Sequence, residues 1–228
     1  MGSSKYPTSV REVVETLKNI YHDFDHYNLK DPLDELLFII LSTKTEEKSY
    51  RNSFRALKQL FPTHDLICRA TTDEIVSAIS RGGLSTLKAK TIRNLLDSIV
   101  KRFGIPTLEP LMAMNDKEAE TFLSGLPGIG KKIARCVMMY SLDRQVFPVD
   151  THCWRIARRL GWVRPTQKDQ RCSPRDMDRL QAKIPLEMRF SLHVNMISLG
   201  RENCIANKPK CEICPIAQWC RKIGIGKK

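Results

Sequence analysis

A lysine and an aspartate in the middle of this chain are the residues best suited to covalent chemistry. Lys132 stands just after a glycine turn, and Asp150 follows eighteen residues later in the segment VDTH. An uncharged lysine amine is a nucleophile, whereas a carboxylate can accept a proton or stabilise a developing positive charge. An amine of this turn and the Asp150 carboxylate could therefore meet at one cleft. The simpler alternative for Asp150 is an ordinary N-cap of the helix that follows it.

The glycine turn lies between two predicted helices. The segment Leu126–Ala134 reads LPGIGKKIA, in which Gly128 and Gly130 both permit a positive φ and a tight hairpin. Residues 115–118, NDKE, have the spacing of a capping box at the start of the upstream helix. Backbone N–H groups at the start of the downstream helix, beside Lys131, form a suitable phosphate site. A turn that merely joins two core helices is the alternative.

Four of the eight cysteines are concentrated near the end of the sequence. They are Cys204, Cys211, Cys214 and Cys220, in a Cx6Cx2Cx5C pattern. Without a recognisable secretion signal, this clustering favours a metal centre over disulfides. A single CxxC pair with wider arms suits an iron–sulfur cluster, and a structural zinc site is the competing interpretation. Lys208 and Lys210 lie between the ligands and would present positive charge to an anionic partner.

The composition indicates a globular protein with a polyanionic partner. The 228 residues are 42% hydrophobic and carry a formal net charge of +13. Residues 151–175 hold seven basic side chains against one acidic, and residues 201–228 hold seven against two. Such clustering is typical of a surface that contacts nucleic acid phosphates, although a solvated basic surface is the alternative. Apolar runs are too short to cross a membrane, so we expect no membrane partner.

The elements that must position these residues are predicted to be helices throughout. Apolar residues recur at helical spacing and strand-like alternation is lacking, which predicts an all-α fold of about ten helices. The helix beginning at Asp31 is apolar almost all round, as expected for a core helix. Ser9 is predicted to cap the first helix, and Leu186 and Phe190 are predicted to face inward near the last one.

A second turn with possible contacts to a partner precedes a basic helix. Leu84 follows a glycine pair, and an exposed apolar residue at such a tip can enter a base stack, although leucines more often pack back on their own helices. Beyond it, Lys88, Lys90 and Arg93 are predicted to share the exposed side of the helix.

Together, LPGIGKKIA, VDTH and the Cx6Cx2Cx5C pattern resemble the endonuclease III family of helix-hairpin-helix DNA glycosylases. The similarity extends through ILST, GGLSTLKAKTI and IPLEMRFSLHVNMISLGRENC, and so covers most of the chain. It implies a two-lobed, all-α fold: a six-helix barrel at residues 31–144, with the helix-hairpin-helix at 115–142, and a cluster lobe from residues 1–30 and 145–228. It also implies that the four cysteines bind a [4Fe-4S] cluster.

The resemblance further implies a bifunctional glycosylase and AP lyase of base excision repair. Lys132 would be the nucleophile and Asp150 the catalytic carboxylate, in an enzyme that removes oxidised pyrimidines and cuts 3′ to the abasic site by β-elimination. The partner would be double-stranded DNA with a damaged base or abasic site. The protein would be a monomer inside the cell, cytoplasmic and nucleoid-associated in a prokaryote, and not secreted.

Two positions depart from the family pattern. Lys44 stands where the family usually has glutamine, and the turn at Leu84 reads GLSTLKA instead of a version with asparagine. Both positions contact DNA around the flipped base in the family, so the preferred lesion is not predicted. Two alternatives stay open: a monofunctional mismatch glycosylase of the same fold, against which Lys132 argues, and a non-enzymatic DNA-binding module with a metal clip.

Overall fold

The computed structural model describes residues 7–24, 26–80, 83–167 and 170–225, and over these ranges its regular structure is entirely helical. This confirms the predicted all-α class. The α-helices of the described ranges are α1 Val10–Tyr21, α2 Pro32–Ser42, α3 Glu47–Leu60, α4 His64–Arg69, α5 Thr72–Ile79, α6 Ser85–Phe103, α7 Asp116–Gly125, α8 Lys131–Tyr140, α9 Thr151–Leu160, α10 Pro174–Gln181 and α11 Arg189–Glu202. Short 3₁₀ helices lie at Glu109–Ala113, Leu186–Met188, Cys211–Ile213 and Ala217–Trp219.

The chain divides into two units by its internal contacts. One unit is Asn28–Arg144, and the other combines Met1–Tyr27 with Gln145–Lys228. Relative to the predicted bounds of 31–144, this division adds residues 28–30 to the first unit. We call these the central unit and the terminal unit.

Helix α2 forms the core of the central unit. Pro32 occupies its first turn, and the Asp31 carboxylate accepts hydrogen bonds from the N–H groups of Leu33 and Asp34 at 3.0 and 2.7 Å. The helix packs against α3, α6 and α8. Its residues from Glu35 to Leu41 are all buried, as the apolar pattern predicts.

The core of the terminal unit is formed mainly by α1, α9 and α11. Its buried side chains include Val13, Leu17, Trp154, Ile156, Leu160, Leu192 and Leu199. Ser9 is the N-cap residue of α1, as predicted, but the expected capping box with Glu12 does not form: the Ser9 hydroxyl makes no cap bond and instead accepts a hydrogen bond from Trp162 Nε1 at 3.2 Å. The predicted inward positions of Leu186 and Phe190 are also wrong, since they are 52% and 47% exposed while Met188 and Leu192 fill the core.

No helix in the described part of the chain is both long enough and apolar enough to cross a lipid bilayer.

Candidate active site and cluster site

The glycine turn connects α7 and α8 as predicted. Asn115 and Glu118 form a reciprocal capping box at the start of α7, with both hydrogen bonds at 3.0 Å. Gly128 adopts φ +77°, and a Cβ built there would lie 2.8 Å from Thr91 Cγ2. Gly130 differs from the prediction, because its φ is −97° and it serves as the extended N-cap of α8. Only the first glycine of this turn therefore uses its special backbone freedom.

This difference predicts unequal effects of the same substitution. We expect Gly128→Ser to destabilise the protein by about 2 kcal/mol, because a side chain at positive φ is strained and would also collide with Thr91. Gly130→Ser should be neutral or slightly stabilising, since the site is open and serine is a favoured N-cap. Thermal unfolding of both variants measures the difference. Equal losses at the two positions would contradict this description of the turn.

Lys132 lies in the first turn of α8, directly behind the hairpin. Its side chain is half-buried. The flanking cations are held by an acid of α7: Glu120 pairs with Lys131 Nζ at 3.2 Å and with Arg135 Nε at 2.6 Å. These ion pairs fix α8 against α7. Through its ion pair with Glu120, Lys131 helps to hold α8 against α7. Its contact with DNA stays a prediction.

Asp150 is the N-cap of α9, as its position in VDTH predicts. Its Oδ1 accepts a hydrogen bond from the Cys153 N–H group at 2.7 Å, and its backbone is extended. Next to it, burial lowers the pKa of His152, whose Nδ1 lies 3.0 Å from Arg155 Nη2. This contact indicates a structural role for His152. Since Lys132 belongs to the central unit and Asp150 to the terminal unit, their action on one sugar stays a prediction.

Leu84 and Lys44 occupy two exposed turns of the central unit. Leu84 is 53% exposed, adopts φ +51° and serves as the N-cap of α6. Lys44 is exposed with φ +52°. Lys44 thus follows the C-terminal end of α2, and Leu84 directly precedes the first residue of α6. Their roles as DNA contacts stay predictions.

A buried lysine joins these two turns. Lys88 is 5% exposed, and its Nζ donates hydrogen bonds to the Leu41 carbonyl at 2.6 Å and to Thr45 Oγ1. The prediction that Lys88 shares the exposed side of α6 is therefore wrong. The α6 backbone turns this side chain onto the end of α2, and burial lowers its pKa. Lys88 thus fixes the turn that carries Lys44 to the first turn of α6.

Lys88→Met should therefore destabilise the protein by about 1–3 kcal/mol, because it leaves buried acceptors at the end of α2 without their donor. Lys90→Met is the matched control, since Lys90 is exposed on the same helix. Chemical denaturation of both variants tests the expectation. A Lys88→Met protein as stable as Lys90→Met would show that the buried ammonium contributes nothing to the fold.

The four predicted cysteine ligands line one cavity in the terminal unit. Cys204, Cys211, Cys214 and Cys220 surround it together with Arg159 and Lys210. Arg159 is buried, and its guanidinium donates to Cys204 Sγ at 3.1 Å and to the carbonyls of Ile205 and Ala206 at 2.9 and 2.7 Å. Lys208 and Lys210 are exposed beside the cavity. The loop that contains the four cysteines is therefore held in place by Arg159 of α9. Its two lysines, Lys208 and Lys210, face solvent.

Four thiols that line one cavity are a donor set suited to a [4Fe-4S] cluster, and equally to a structural zinc ion. Burial raises the pKa of the Cys214 and Cys220 thiols, a cost that a bound metal centre offsets.

Comparison with known families agrees with this fold and site. Residues 37–179 match the HhH-GPD superfamily base excision DNA repair protein family, so the chain belongs to that superfamily. Residues 204–220 match the iron–sulfur binding domain of endonuclease III. These two matches confirm the predicted endonuclease III-like type of the family and its [4Fe-4S] cofactor.

Individual relatives give the same classification. A putative DNA glycosylase of Arabidopsis thaliana is 37% identical over 193 residues, which are 81% of this chain and 64% of that protein. Endonuclease III of Thermotoga maritima is 26% identical over 83% of both chains. A solved non-covalent endonuclease III–DNA complex has a TM-score of 0.77 at 23% identity over 97% of both chains, which shows a shared fold. The chain spans less than two thirds of the Arabidopsis glycosylase and 9% of the Arabidopsis transcriptional activator DEMETER.

Two charged residues of the central unit are not predicted from the sequence as the structure shows them: Lys88 is buried instead of exposed, and Glu35 lies fully buried in the core. Glu35 stands at the start of an apolar run in α2, a signal that the sequence carries, whereas Lys88 lies in a basic segment that gives no such signal.

Proposed function

We propose that this protein is a bifunctional DNA glycosylase and AP lyase that acts on double-stranded DNA. The observation that carries the proposal is a lysine in the first turn of α8, behind a glycine hairpin, in a chain that belongs to a base excision repair superfamily. The proposed substrate is a damaged base, an oxidised pyrimidine in the first instance, or an abasic site. The proposed active form is a monomer.

In the proposed reaction, the damaged nucleotide leaves the duplex so that its C1′ atom becomes accessible. The uncharged Lys132 Nζ attacks C1′, and the bond to the base breaks with its electron pair leaving on the base. The amine loses a proton and the sugar ring opens, which gives a Schiff base. Removal of a C2′ proton then expels the 3′ phosphate and cuts the strand. Water finally releases the lysine.

Asp150 is proposed to stabilise the positive charge that develops on the sugar as the base departs. A carboxylate near an oxocarbenium-like sugar stabilises the transition state more than the ground state. The cap hydrogen bond to Cys153 occupies Oδ1 and orients the group at the start of α9. Asp150 can therefore serve as helix cap and catalytic carboxylate together.

Several exposed groups of the two units are proposed to contact DNA. The N–H groups at the start of α8, with Gly128, Gly130 and Lys131, would bind phosphates. Lys44 and Leu84 would contact the bases around the flipped nucleotide, and Lys208 and Lys210 would bind backbone phosphates. A net charge of +13 supports this proposal, and binding should weaken steeply with salt.

The [4Fe-4S] cluster is proposed to be held by Cys204, Cys211, Cys214 and Cys220. When bound, it joins four thiolates and so fixes the loop that carries Lys208 and Lys210. The relatives come from plants and from prokaryotes, so they assign neither a type of organism nor a nucleoid-associated location. We propose only that the protein acts on cellular DNA.

A damaged-base panel tests the proposal. Labelled duplexes with an oxidised pyrimidine, a mismatch, an abasic site or no lesion are incubated with the protein, and each product is run with and without alkali. We expect cleavage at the oxidised pyrimidine and at the abasic site without alkali. Base release with cleavage only after alkali would indicate a monofunctional glycosylase, and binding without any product would indicate a DNA-binding module.

A further inference from the structure

A buried arginine at the end of α9 faces the segment that contains the four cysteines. Arg159 is 7% exposed, and it lines the cavity that the cysteines surround. Its Nη1 donates to Cys204 Sγ at 3.1 Å and to the Ile205 carbonyl at 2.9 Å, and its Nη2 donates to the Ala206 carbonyl at 2.7 Å. The planar guanidinium thus binds three consecutive residues at the start of the Cx6Cx2Cx5C pattern.

The backbone of Arg159 contacts the other end of the same pattern. Its carbonyl belongs to the last turn of α9, where helical carbonyls have no partner within the helix. This carbonyl accepts a hydrogen bond from the Ile223 N–H group at 3.3 Å and lies 3.3 Å from Cys220 Sγ. The first and last cysteines of the pattern therefore both contact one residue of α9.

The charge of Arg159 is not paired with a carboxylate among the residues that the structure describes. There its side chain contacts the Cys204 sulfur and three backbone carbonyls. A buried guanidinium without a counter-ion is costly, because burial removes its hydration. A [4Fe-4S] cluster with four thiolate ligands carries net negative charge and supplies that counter-ion. The buried cation and the cofactor are therefore matched in charge.

A hydrogen bond to a ligand sulfur changes the electron affinity of an iron–sulfur cluster. The reduced form carries one more negative charge than the oxidised form, so a cationic donor stabilises the reduced form more. Because this holds for every one-electron couple of the cluster, such a donor raises the reduction potential. The 3.1 Å distance places the Arg159 donor directly on one predicted ligand.

We propose that Arg159 raises the reduction potential of the [4Fe-4S] cluster through its hydrogen bond to the Cys204 sulfur. The inference rests on one part of the proposed function, the assignment of Cys204 as a cluster ligand, and is independent of the lyase reaction. The same guanidinium holds the backbone next to Cys204 in place. One residue of α9 thus sets both the position of a ligand and the electron affinity of the cofactor.

The test is the midpoint potential of the cluster in Arg159→Met, measured by voltammetry of the intact holoprotein without DNA. Methionine keeps a long flexible side chain but has neither a charge nor a donor. We expect the equilibrium constant for one-electron reduction to fall about tenfold, which lowers the potential by about 59 mV. Arg159→Lys keeps the charge without the planar fork, so its potential should lie between those of the wild type and Arg159→Met.

Lys210→Met is the matched control, because it removes one positive charge from the lining of the same cavity. Lys210 is exposed, so solvent and salt screen its charge. Its potential should stay close to that of the wild type. The inference is overturned if Arg159→Met binds the cluster with the wild-type potential, or if Lys210→Met lowers the potential as much as Arg159→Met does.

A second measurement uses the wild type and does not depend on how the variants fold. The protein is made with ¹⁵N-labelled arginine, its cluster is brought to a paramagnetic state by one electron at an electrode, and pulsed EPR detects the nitrogen nuclei coupled to it. We expect a ¹⁵N coupling in the wild type and its loss in Arg159→Lys. A wild-type spectrum without any arginine coupling overturns the inference, even if Arg159→Met loses its cluster.

Failure of this inference is distinguishable from failure of the proposed function. A Cys204→Ser protein with full iron content and the wild-type spectrum would reject Cys204 as a ligand, and with it that part of the proposed function. An altered or lost cluster in Cys204→Ser, together with the wild-type potential in Arg159→Met, rejects the role of Arg159 alone. The potentials and the EPR spectra are recorded without substrate, so a missing lyase activity does not affect them.

Discussion

Lys132→Gln is expected to lose strand cleavage at an abasic site by at least about a thousandfold, because in the proposed reaction the Schiff base forms on the Lys132 amine, which glutamine lacks. Glutamine suits a helix about as well as lysine, so the free energy of unfolding should change by less than about 0.5 kcal/mol. Single-turnover cleavage and thermal unfolding measure the two effects. A variant that folds normally and still cuts the abasic site would exclude Lys132 as the nucleophile.

Lys131→Gln is the control for that experiment. It makes the same change at the adjacent residue, and it removes one ion pair to Glu120 that is only partly exposed. We expect weaker DNA binding with cleavage retained at saturating protein. Equal losses of cleavage in Lys131→Gln and Lys132→Gln would mean that the reaction depends on positive charge in this turn. Lys132 would then not be the nucleophile.

Asp150→Asn is expected to lower base release by about a hundredfold to a thousandfold, the usual effect of removing one group that stabilises transition-state charge. Asparagine caps helices as well as aspartate does, so stability should change by less than about 0.5 kcal/mol. Asp150→Ala should lose activity to a similar extent and also about 1 kcal/mol of stability with the cap bond to Cys153.

The pair of variants at position 150 separates two roles of one side chain. If only the cap matters, Asp150→Asn keeps nearly full activity and Asp150→Ala loses both activity and stability. If the charge matters, both variants are inactive and only the alanine is unstable. Single-turnover base release on the damaged duplex, set beside thermal unfolding, makes the comparison.

The sequence predicts best what depends on neighbouring residues. The capping box of Asn115 and Glu118 and the cap at Asp150 are local, because donor and acceptor lie three residues apart. The buried character of α2 also follows from its own apolar pattern. The cysteine spacing predicts a metal centre because the four ligands lie within one short segment, and the match to the iron–sulfur binding domain gives its class.

The missed features depend on contacts between distant residues. Lys88 Nζ binds groups 47 and 43 residues earlier in the chain, and Arg159 reaches the cluster loop 45 residues later. No local pattern distinguishes such a lysine from an exposed one. Gly130 is a different case. The sequence permits a positive φ at both glycines of the turn, but only Gly128 adopts one.

The central claim is that one particular lysine becomes covalently attached to the sugar. The direct measurement is borohydride reduction of the wild-type protein on an abasic duplex, followed by proteolysis and mass spectrometry of the peptide that carries the nucleotide. We predict a single modified residue, Lys132. An adduct on any other lysine, or no adduct under conditions in which the strand is cut, would contradict the account.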